Sequence, residues 1–177
     1  MVKGMDRAPV LVLQHDPDDG LKLLAEPLLA AGVGLHPCMA WRGELPQAMR
    51  SFAGLIILGS VACLSQGDAP AWLAPERHLI DEALERELPV LGICFGAQHL
   101  ARAAGGEVRR ASTPELGWHP VQLTEGSQGD VLSSALGERF HAFQWHYDEV
   151  VLPGAGSLLA EANGMVLPFR VGSRAWG

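Results

Sequence analysis

Short apolar runs alternate with amphipathic segments through the first half of the chain. Four of these runs predict buried, parallel β-strands, at Val10–His15, Gly34–Cys38, Leu55–Leu58 and Val90–Ile93. The segments that lie between or after the strands predict three helices, at Leu21–Ala31, Pro75–Glu87 and Phe95–Ala104. This alternation of strand and helix is typical of βαβ units around a parallel sheet.

The second half of the chain is rich in short strands with polar or Gly/Pro connections. Five strands are predicted there, at Glu107–Arg110, Trp118–Leu123, Phe140–Trp145, Ser157–Ala162 and Met165–Val171. The two halves together predict an α/β fold: a three-layer sandwich in which helices flank a mostly parallel central sheet with an antiparallel extension. At 177 residues the chain fits one domain, over residues 1–177.

Composition and charge disfavour several kinds of partner. The 13 basic and 20 acidic residues give a net charge of −7, which argues against nucleic acid and anionic membrane as partners. Apolar runs such as Leu88–Ile93 are too short to span a bilayer. The three cysteines form no C-x-x-C pair, which favours a reducing cytoplasm, and Cys38 and Cys63 are predicted to be inert. The histidines show no metal-ligand spacing, so we predict no metal and no cofactor.

The segment from Val90 to Gln98 carries the strongest chemical signal. A buried strand runs directly into Gly-x-Cys-x-Gly and a helix follows at once, which is the layout of a nucleophile elbow centred on Cys94. The flanking glycines are needed because side chains there would collide with the neighbouring strand and helix. The thiol would lie at a helix N-terminus, whose partial positive charge favours the thiolate. The alternative is that the glycines only allow close packing around a buried Cys94.

Two further segments are candidates for the same site. Gly59 begins a turn after the third predicted strand, and its backbone N–H, together with that of Phe95, would form an oxyanion hole. An ordinary strand-ending turn is the alternative. Gln98 follows Cys94 by one helical turn and lies on the same side of that helix, where its amide would either bind a polar substrate or face solvent.

The segment Gly92-Ile93-Cys94-Phe95-Gly96-Ala97-Gln98 resembles the nucleophile motif of the class I glutamine amidotransferases. Residues 55–60 resemble the family's oxyanion strand and turn. Residues 115–118 and 144–148 resemble later landmarks of stand-alone members related to the synthase that aminates xanthosine monophosphate. The resemblance covers nearly the whole chain and implies a flavodoxin-like open sheet. It also implies a reaction in which Cys94 attacks the side-chain amide of glutamine, ammonia leaves, and water hydrolyses the glutamyl thioester.

The resemblance assigns roles to individual residues. It makes Cys94 the nucleophile, Gly59 and Phe95 the donors of the oxyanion hole, and Gln98 a contact of the substrate glutamine. The pocket would be lined, largely through the backbone, by one further segment: Trp145, His146 and Tyr147. A separate synthetase subunit that accepts ammonia is left open as a partner, and so is self-association of the chain.

The chain departs from the family pattern at two places. The usual Gly-Gly-Pro turn is Gly59-Ser60-Val61, which changes the backbone demand at Ser60 and removes a rigid proline. The family's general base is a histidine in a His-Pro-Glu motif, and no histidine follows His146 in the sequence. We therefore expect this form to be truncated before the final strand and helix, impaired in glutamine hydrolysis and prone to self-association.

Three functions are compatible with these motifs. The first is a glutamine amidotransferase. The second is a cysteine hydrolase on the same fold that acts on γ-glutamyl compounds, and the third is a catalytically disabled binding or regulatory module. His146 and Asp148 lie two residues apart on a predicted strand and imitate the spacing of a substitute dyad. The family pattern instead places both at the pocket rim.

Overall fold

One mixed sheet organises the fold of the computed structural model, which describes residues 8–66, 69–162 and 165–177. Its strands in chain order are β1 Val10–Gln14, β2 Leu35–Met39, β3 Gly54–Ile57, β4 Val90–Gly92, β5 Glu107–Leu123, β6 Arg139–Val151, β7 Gly156–Ala162, β8 Met165–Val171 and β9 Ala175–Trp176. The described helices are α1 Ala25–Ala30, α2 Leu73–Glu85 and α3 Phe95–Ala103. The strand order across the sheet is β2-β1-β3-β4-β9-β8-β7-β5-β6.

The sheet has a parallel half and an antiparallel half. Strands β2, β1, β3, β4 and β9 run parallel, whereas β8, β7, β5 and β6 form an antiparallel extension. Strand β4 lies between β3 and β9 in the parallel half, so its carboxyl end opens onto the edge where ligands of such sheets bind. The predicted fold class is confirmed.

Alternating side chains of the central strands supply the two faces of the sandwich. Leu11 and Ile57 belong to the larger core cluster, with residues of α2 and α3 such as Leu79 and Leu100. The intervening positions form a second cluster with partly buried residues that lie before and within α1: Val12, Ile56, Leu58, Leu21 and Leu28. Because side chains point alternately to opposite sides of a strand, the parallel strands need helices on both faces.

Several element boundaries differ from the predicted ones. The two strands predicted between Glu107 and Leu123 are one strand, β5, because β6 pairs with both segments across a register shift between Arg110 and Glu115. The first predicted helix is shorter, with a 3₁₀ turn at Lys22–Leu24 before α1. Helix α2 begins two residues earlier than predicted, at Leu73, which places Pro75 in its first turn. Proline is tolerated there because it lacks a backbone N–H, and the N–H groups of a first turn have no helical acceptor.

A buried carboxylate anchors the strand beside β4. The pattern predicts no strand over residues 174–177, yet Ala175–Trp176 form β9, with Val90 opposite Ala175. Asp130 is 1% exposed and accepts hydrogen bonds from Trp176 Nε1 and Arg170 Nη1, both at 3.0 Å. Burial alone would raise the pKa of Asp130, but these donors and two backbone amides outweigh it and hold the pKa below its ordinary value.

Candidate active site

The backbone at Cys94 has the conformation of a nucleophile elbow. Strand β4 ends at Gly92, α3 begins at Phe95, and Cys94 between them has φ 53° and ψ −110°, a strained region for a non-glycine residue. A Cβ at Gly92 would lie 2.6 Å from the carbonyl carbon of Gly96, and one at Gly96 would overlap the carbonyl oxygen of Ile57. Both glycines therefore permit the sharp turn that presents the thiol, as the Gly-x-Cys-x-Gly pattern predicts.

The thiol of Cys94 is held in its neutral form more firmly than the sequence suggests. The residue is exposed as a whole and lines a cavity, but the withdrawal of its sulfur from water raises its pKa, and the carboxylate of Asp19 raises it further. A hydrogen bond from the backbone N–H of Phe95 acts in the opposite direction and does not overcome these effects. The helix N-terminus therefore acts in the expected direction through the Phe95 N–H, but burial and the Asp19 carboxylate outweigh it.

The raised pKa of Cys94 predicts a specific pH dependence. Because the thiolate is the nucleophile, the rate of Cys94 alkylation by iodoacetamide should still increase at pH values where a free cysteine has levelled off. The measurement is mass spectrometry of the Cys94 peptide over a pH series, with N-acetylcysteine as the reference thiol. A rate that levels off below the reference inflection would contradict the raised pKa.

A cavity of about 1040 Å³ brings the predicted site residues together. It lies where the carboxyl ends of β1, β3 and β4 meet the middle of β6. Its lining includes every residue that the sequence predicted for the site: Gly59, Cys94, Phe95, Gln98, Trp145, His146 and Tyr147. These positions are up to 88 residues apart in the chain (from 59 to 147), and the tertiary structure alone places them around one space.

The turn after β3 is stabilised without the family's proline. The backbone N–H of Val61 donates to Asp16 Oδ2 at 3.2 Å, and that of Ala62 donates to Ser60 Oγ at 3.1 Å. A Cβ at Gly59 would lie 2.7 Å from Asp19 Oδ2 and 3.9 Å from the Cβ of Cys94. A larger residue at position 59 would displace the Asp19 carboxylate, and the turn lies directly against Cys94.

Sequence reasoning did not identify a buried histidine–carboxylate chain beneath this turn. Glu76 accepts from His15 Nε2 through Oε2 at 2.6 Å and from His99 Nδ1 through Oε1 at 2.8 Å, and His15 Nδ1 lies 3.0 Å from the carbonyl oxygen of Gly59. Burial alone would raise the pKa of Glu76, but the two histidines outweigh it and hold the pKa below its ordinary value. The only sequence signal is polar residues within otherwise apolar faces, and their separation along the chain hides the partnership.

His146 and Asp148 do not pair with each other. His146 Nε2 contacts Gln144 Oε1 at 3.1 Å and Glu115 Oε2 at 3.5 Å. The carboxylate of Asp148 instead accepts from a different set of donors: Ser65 Oγ at 2.7 Å, Cys63 Sγ at 3.0 Å and, as an ion pair, Arg110 Nη1 at 3.6 Å. The two residues share the cavity wall, but the structure gives no substitute dyad between them.

The three cysteines have different environments. Burial raises the pKa of the Cys38 thiol to about 11, which agrees with the prediction that this residue is inert. Cys63 is only half-buried, lines the cavity and donates to Asp148, so it does not lie in a hydrophobic core; that it is inert stays a prediction. Cys94 is the one on a strained elbow.

Two further properties concern the described part of the chain only. No helix within residues 8–66, 69–162 and 165–177 is both long and apolar enough to cross a membrane. Over the same ranges, no group of three or more His, Cys, Asp or Glu side chains is arranged to hold a metal ion.

Residues 38–165 match the family described as glutamine amidotransferase class-I. The chain is 33% identical over 121 residues to a glutamine-hydrolysing GMP synthase of Aeropyrum pernix, a match that covers 68% of this chain and 22% of the relative. It is 34% identical over 104 residues to one subunit of the glutamine-hydrolysing GMP synthase of Sulfurisphaera tokodaii, over 56% of this chain and 54% of the relative. The matched part thus spans about a fifth and about half of these curated relatives.

Two solved structures share the fold over most of this chain. A glutamine amidotransferase of Thermotoga maritima superposes with a TM-score of 0.86 at 25% identity, over 96% of this chain and 74% of that chain. A glutamine amidotransferase of Methylobacillus flagellatus gives a TM-score of 0.86 at 23% identity, over 96% and 68%, which is evidence for the fold alone. The expected resemblance in fold is confirmed.

Proposed function

The chain belongs to the class-I glutamine amidotransferases, and from this premise we propose that its cavity hydrolyses the side-chain amide of glutamine with Cys94 as the nucleophile. The observation that carries the proposal is the strained backbone of Cys94, which faces a cavity lined by every other predicted site residue. A cysteine with φ 53° costs free energy, and such strain is typical of active sites.

The proposed reaction follows from the positions of the lining groups. The Cys94 thiolate attacks the amide carbon of glutamine, and the resulting oxyanion accepts hydrogen bonds from the Phe95 N–H and from the turn at Gly59. The amide nitrogen of this intermediate takes up from solvent the equivalent of the proton that the thiol released, and collapse then expels ammonia and leaves a γ-glutamyl thioester. Water hydrolyses the thioester to glutamate and restores the free thiol. Gln98 is proposed to bind the polar part of the substrate from the first turn of α3, and the segment 145–147 to form the rim.

Removal of the thiol proton is the demanding step at neutral pH, because the pKa of Cys94 is raised. Within the described residues, His146 is the histidine that lines the cavity, and its carboxylate neighbour is Glu115. We therefore expect the first step to be faster at alkaline pH than at neutral pH.

An ammonia-accepting synthetase subunit is the proposed partner. The relatives include proteins named as one subunit of a glutamine-hydrolysing GMP synthase, which supports glutamine as the substrate and a synthetase as the partner. Large apolar side chains are exposed on one side of the β5–β6 ribbon: Leu116, Trp118, Phe143, Trp145 and Tyr147. Since Trp145 and Tyr147 also line the cavity, this surface reaches its mouth and supports docking there. Self-association through the same surface is the alternative, and the sparse cysteines support the cytoplasm as the proposed location.

The direct test is the stoichiometry of products from glutamine. We expect ammonia and glutamate to form in equal amounts, at a rate that rises with pH between 7 and about 9 as the thiol ionises. Ammonia is measured enzymatically and glutamate by chromatography, and mass spectrometry detects the glutamyl adduct on Cys94. Absence of both products and of the adduct at either pH would contradict the proposal.

A cysteine hydrolase that acts on γ-glutamyl compounds other than glutamine is the second candidate. The cavity is open and has a volume of about 1040 Å³, which leaves room for a γ-glutamyl compound longer than glutamine. The ratio of kcat/KM for glutamine to that for a γ-glutamyl dipeptide separates the two functions. A binding module without activity would instead bind glutamine in calorimetry and form no adduct on Cys94.

A further inference from the structure

His15, Glu76 and His99 form a hydrogen-bonded group of side chains that lies wholly inside the protein. Glu76 is 0% exposed and each histidine is 3% exposed. Glu76 reaches the group from α2 and His99 from α3, whereas His15 follows directly after β1. Such a group is costly to bury unless each polar atom has a partner, so its retention in the core beneath the cavity requires an explanation.

Hydrogen-bond complementarity fixes where the protons lie. The carbonyl oxygen of Gly59 accepts and does not donate, so His15 Nδ1 must carry a proton. The contact of 2.6 Å between His15 Nε2 and Glu76 Oε2 requires a second proton, and His99 Nδ1 supplies a third to Glu76 Oε1. Burial opposes a charge on His15, but Glu76 and the Gly59 carbonyl outweigh it and raise the pKa of His15. His15 is therefore held at both ring nitrogens, between the Gly59 carbonyl and Glu76, and His99 braces Glu76 from the other side.

The hydrogen-bonded group of His15, Glu76 and His99 contacts both residues of the proposed oxyanion hole. His15 bonds to the carbonyl of Gly59 on one side, and its ring packs against that of Phe95 with centroids 5.1 Å apart. The ring of His99 lies 5.8 Å from the same Phe95 ring, so Phe95 touches two rings that both bond to Glu76. Any shift of His15 would thus move the turn after β3 and the start of α3 relative to each other.

The direction of the Gly59 carbonyl determines the direction of the next amide. No peptide bond in the described residues is cis, so the carbonyl of Gly59 and the N–H of Ser60 point to opposite sides of one planar group. The carbonyl faces the buried ring of His15, and Ser60 lines the cavity. The N–H of Ser60, a donor that sequence reasoning missed, is therefore directed toward the cavity, next to Cys94.

We propose that the buried His15–Glu76–His99 chain is a positioning network that orients the Gly59–Ser60 peptide and the Phe95 amide toward the oxyanion formed at Cys94. The inference rests on the proposed function, because it assigns the network to the acyl transfer step of that reaction. His15 acts through the Gly59 carbonyl, and Glu76 and His99 act through His15. None of the three touches the substrate.

Two reactions of the same thiol test the network, since only one of them forms an oxyanion. Acylation of Cys94 by a γ-glutamyl p-nitrophenyl ester passes through a tetrahedral oxyanion, and its leaving group needs no proton. Alkylation by iodoacetamide displaces iodide at a saturated carbon and forms no oxyanion. The His15→Gln variant retains a donor near Glu76 but loses the bond to Gly59, so we expect acylation to slow about 10²-fold while alkylation changes less than about twofold.

A matched variant distinguishes positioning from packing. In His15→Asn the side-chain amide nitrogen falls near the position of Nδ1, so the bond to Gly59 is retained and the bond to Glu76 is lost. We expect this variant to be acylated at least about tenfold faster than His15→Gln, with Glu76→Gln between the two. Asp81→Asn changes a carboxylate on the outer face of α2 and should leave both rates at the wild-type value.

The outcomes separate this inference from the proposed function. Equal slowing of acylation and alkylation in His15→Gln, or no slowing of either, would overturn the positioning network while the function stands. A wild-type chain that is alkylated at Cys94 but never acylated would overturn the proposed function and the network with it. Thermal unfolding of each variant shows that the rates refer to folded protein.

Discussion

The Cys94→Ser variant is expected to form the glutamyl adduct from glutamine at least about 10³-fold more slowly than the wild-type chain. Serine keeps the size and the hydrogen-bonding capacity of the side chain, so the elbow with its φ of 53° should persist. A serine hydroxyl does not ionise between pH 7 and about 9, however, so it cannot replace the thiolate as the nucleophile. The measurement is mass spectrometry of the intact chain, quenched in the pre-steady state with glutamine in excess.

Two other cysteine variants serve as comparisons for this loss. Cys38→Ser keeps a donor to the carbonyl of Glu44 in the core, away from the cavity, and should react like the wild type. Cys63→Ser alters the second thiol of the same cavity and shows which thiol carries the adduct. Loss of the adduct with Cys63→Ser but not with Cys94→Ser would refute the assignment of the nucleophile.

Replacing Gly96 by alanine is expected to lower the free energy of unfolding by about 3–4 kcal/mol. The added Cβ would overlap the carbonyl oxygen of Ile57 and would lie 2.7 Å from its carbonyl carbon. Both are backbone atoms of β3, which cannot rotate away as the end of a flexible side chain could. The strand and α3 must therefore separate, and urea unfolding followed by circular dichroism measures the cost.

The control for this effect is a glycine in open space. A Cβ at Gly154 would have no heavy atom within 4 Å, so Gly154→Ala should change the free energy of unfolding by less than about 0.5 kcal/mol. A Gly96→Ala variant as stable as this control would show that β3 and α3 are not packed as closely as described. It would also remove the reason for glycine at the second flanking position of the elbow.

Local patterns sufficed for the strands, the helices and the elbow. The apolar runs of β1, β3 and β4 have the length and composition of buried strands, and the glycines around Cys94 identify a sharp strand-to-helix turn. Boundaries were less predictable where pairing decides them. Strand β5 is continuous because β6 pairs with it on both sides of a register shift. The sequence of β5 does not indicate which strand it pairs with.

The electrostatics of the site were the least predictable part. A helix N-terminus favours a thiolate in general, but the pKa of Cys94 depends on how far its sulfur is withdrawn from water and on the carboxylate of Asp19, 75 positions earlier (94 − 19). The spacing of His146 and Asp148 imitates a dyad, whereas the family pattern places both at the pocket rim. In the structure each bonds to a different set of neighbours.

The sequence by itself determined the family, the sandwich architecture and the identity of the strained cysteine, because each depends on residues adjacent in the chain or on a regular period. Tertiary structure decided the size and full lining of the cavity that joins residues from 59 to 147, and it alone showed that Glu76 links two histidines beneath the turn after β3. It also decided which way the Gly59 carbonyl points. Hydrogen bonds and desolvation depend on groups that lie within a few ångströms in space. The separation of those groups along the sequence does not indicate which of them will be close together.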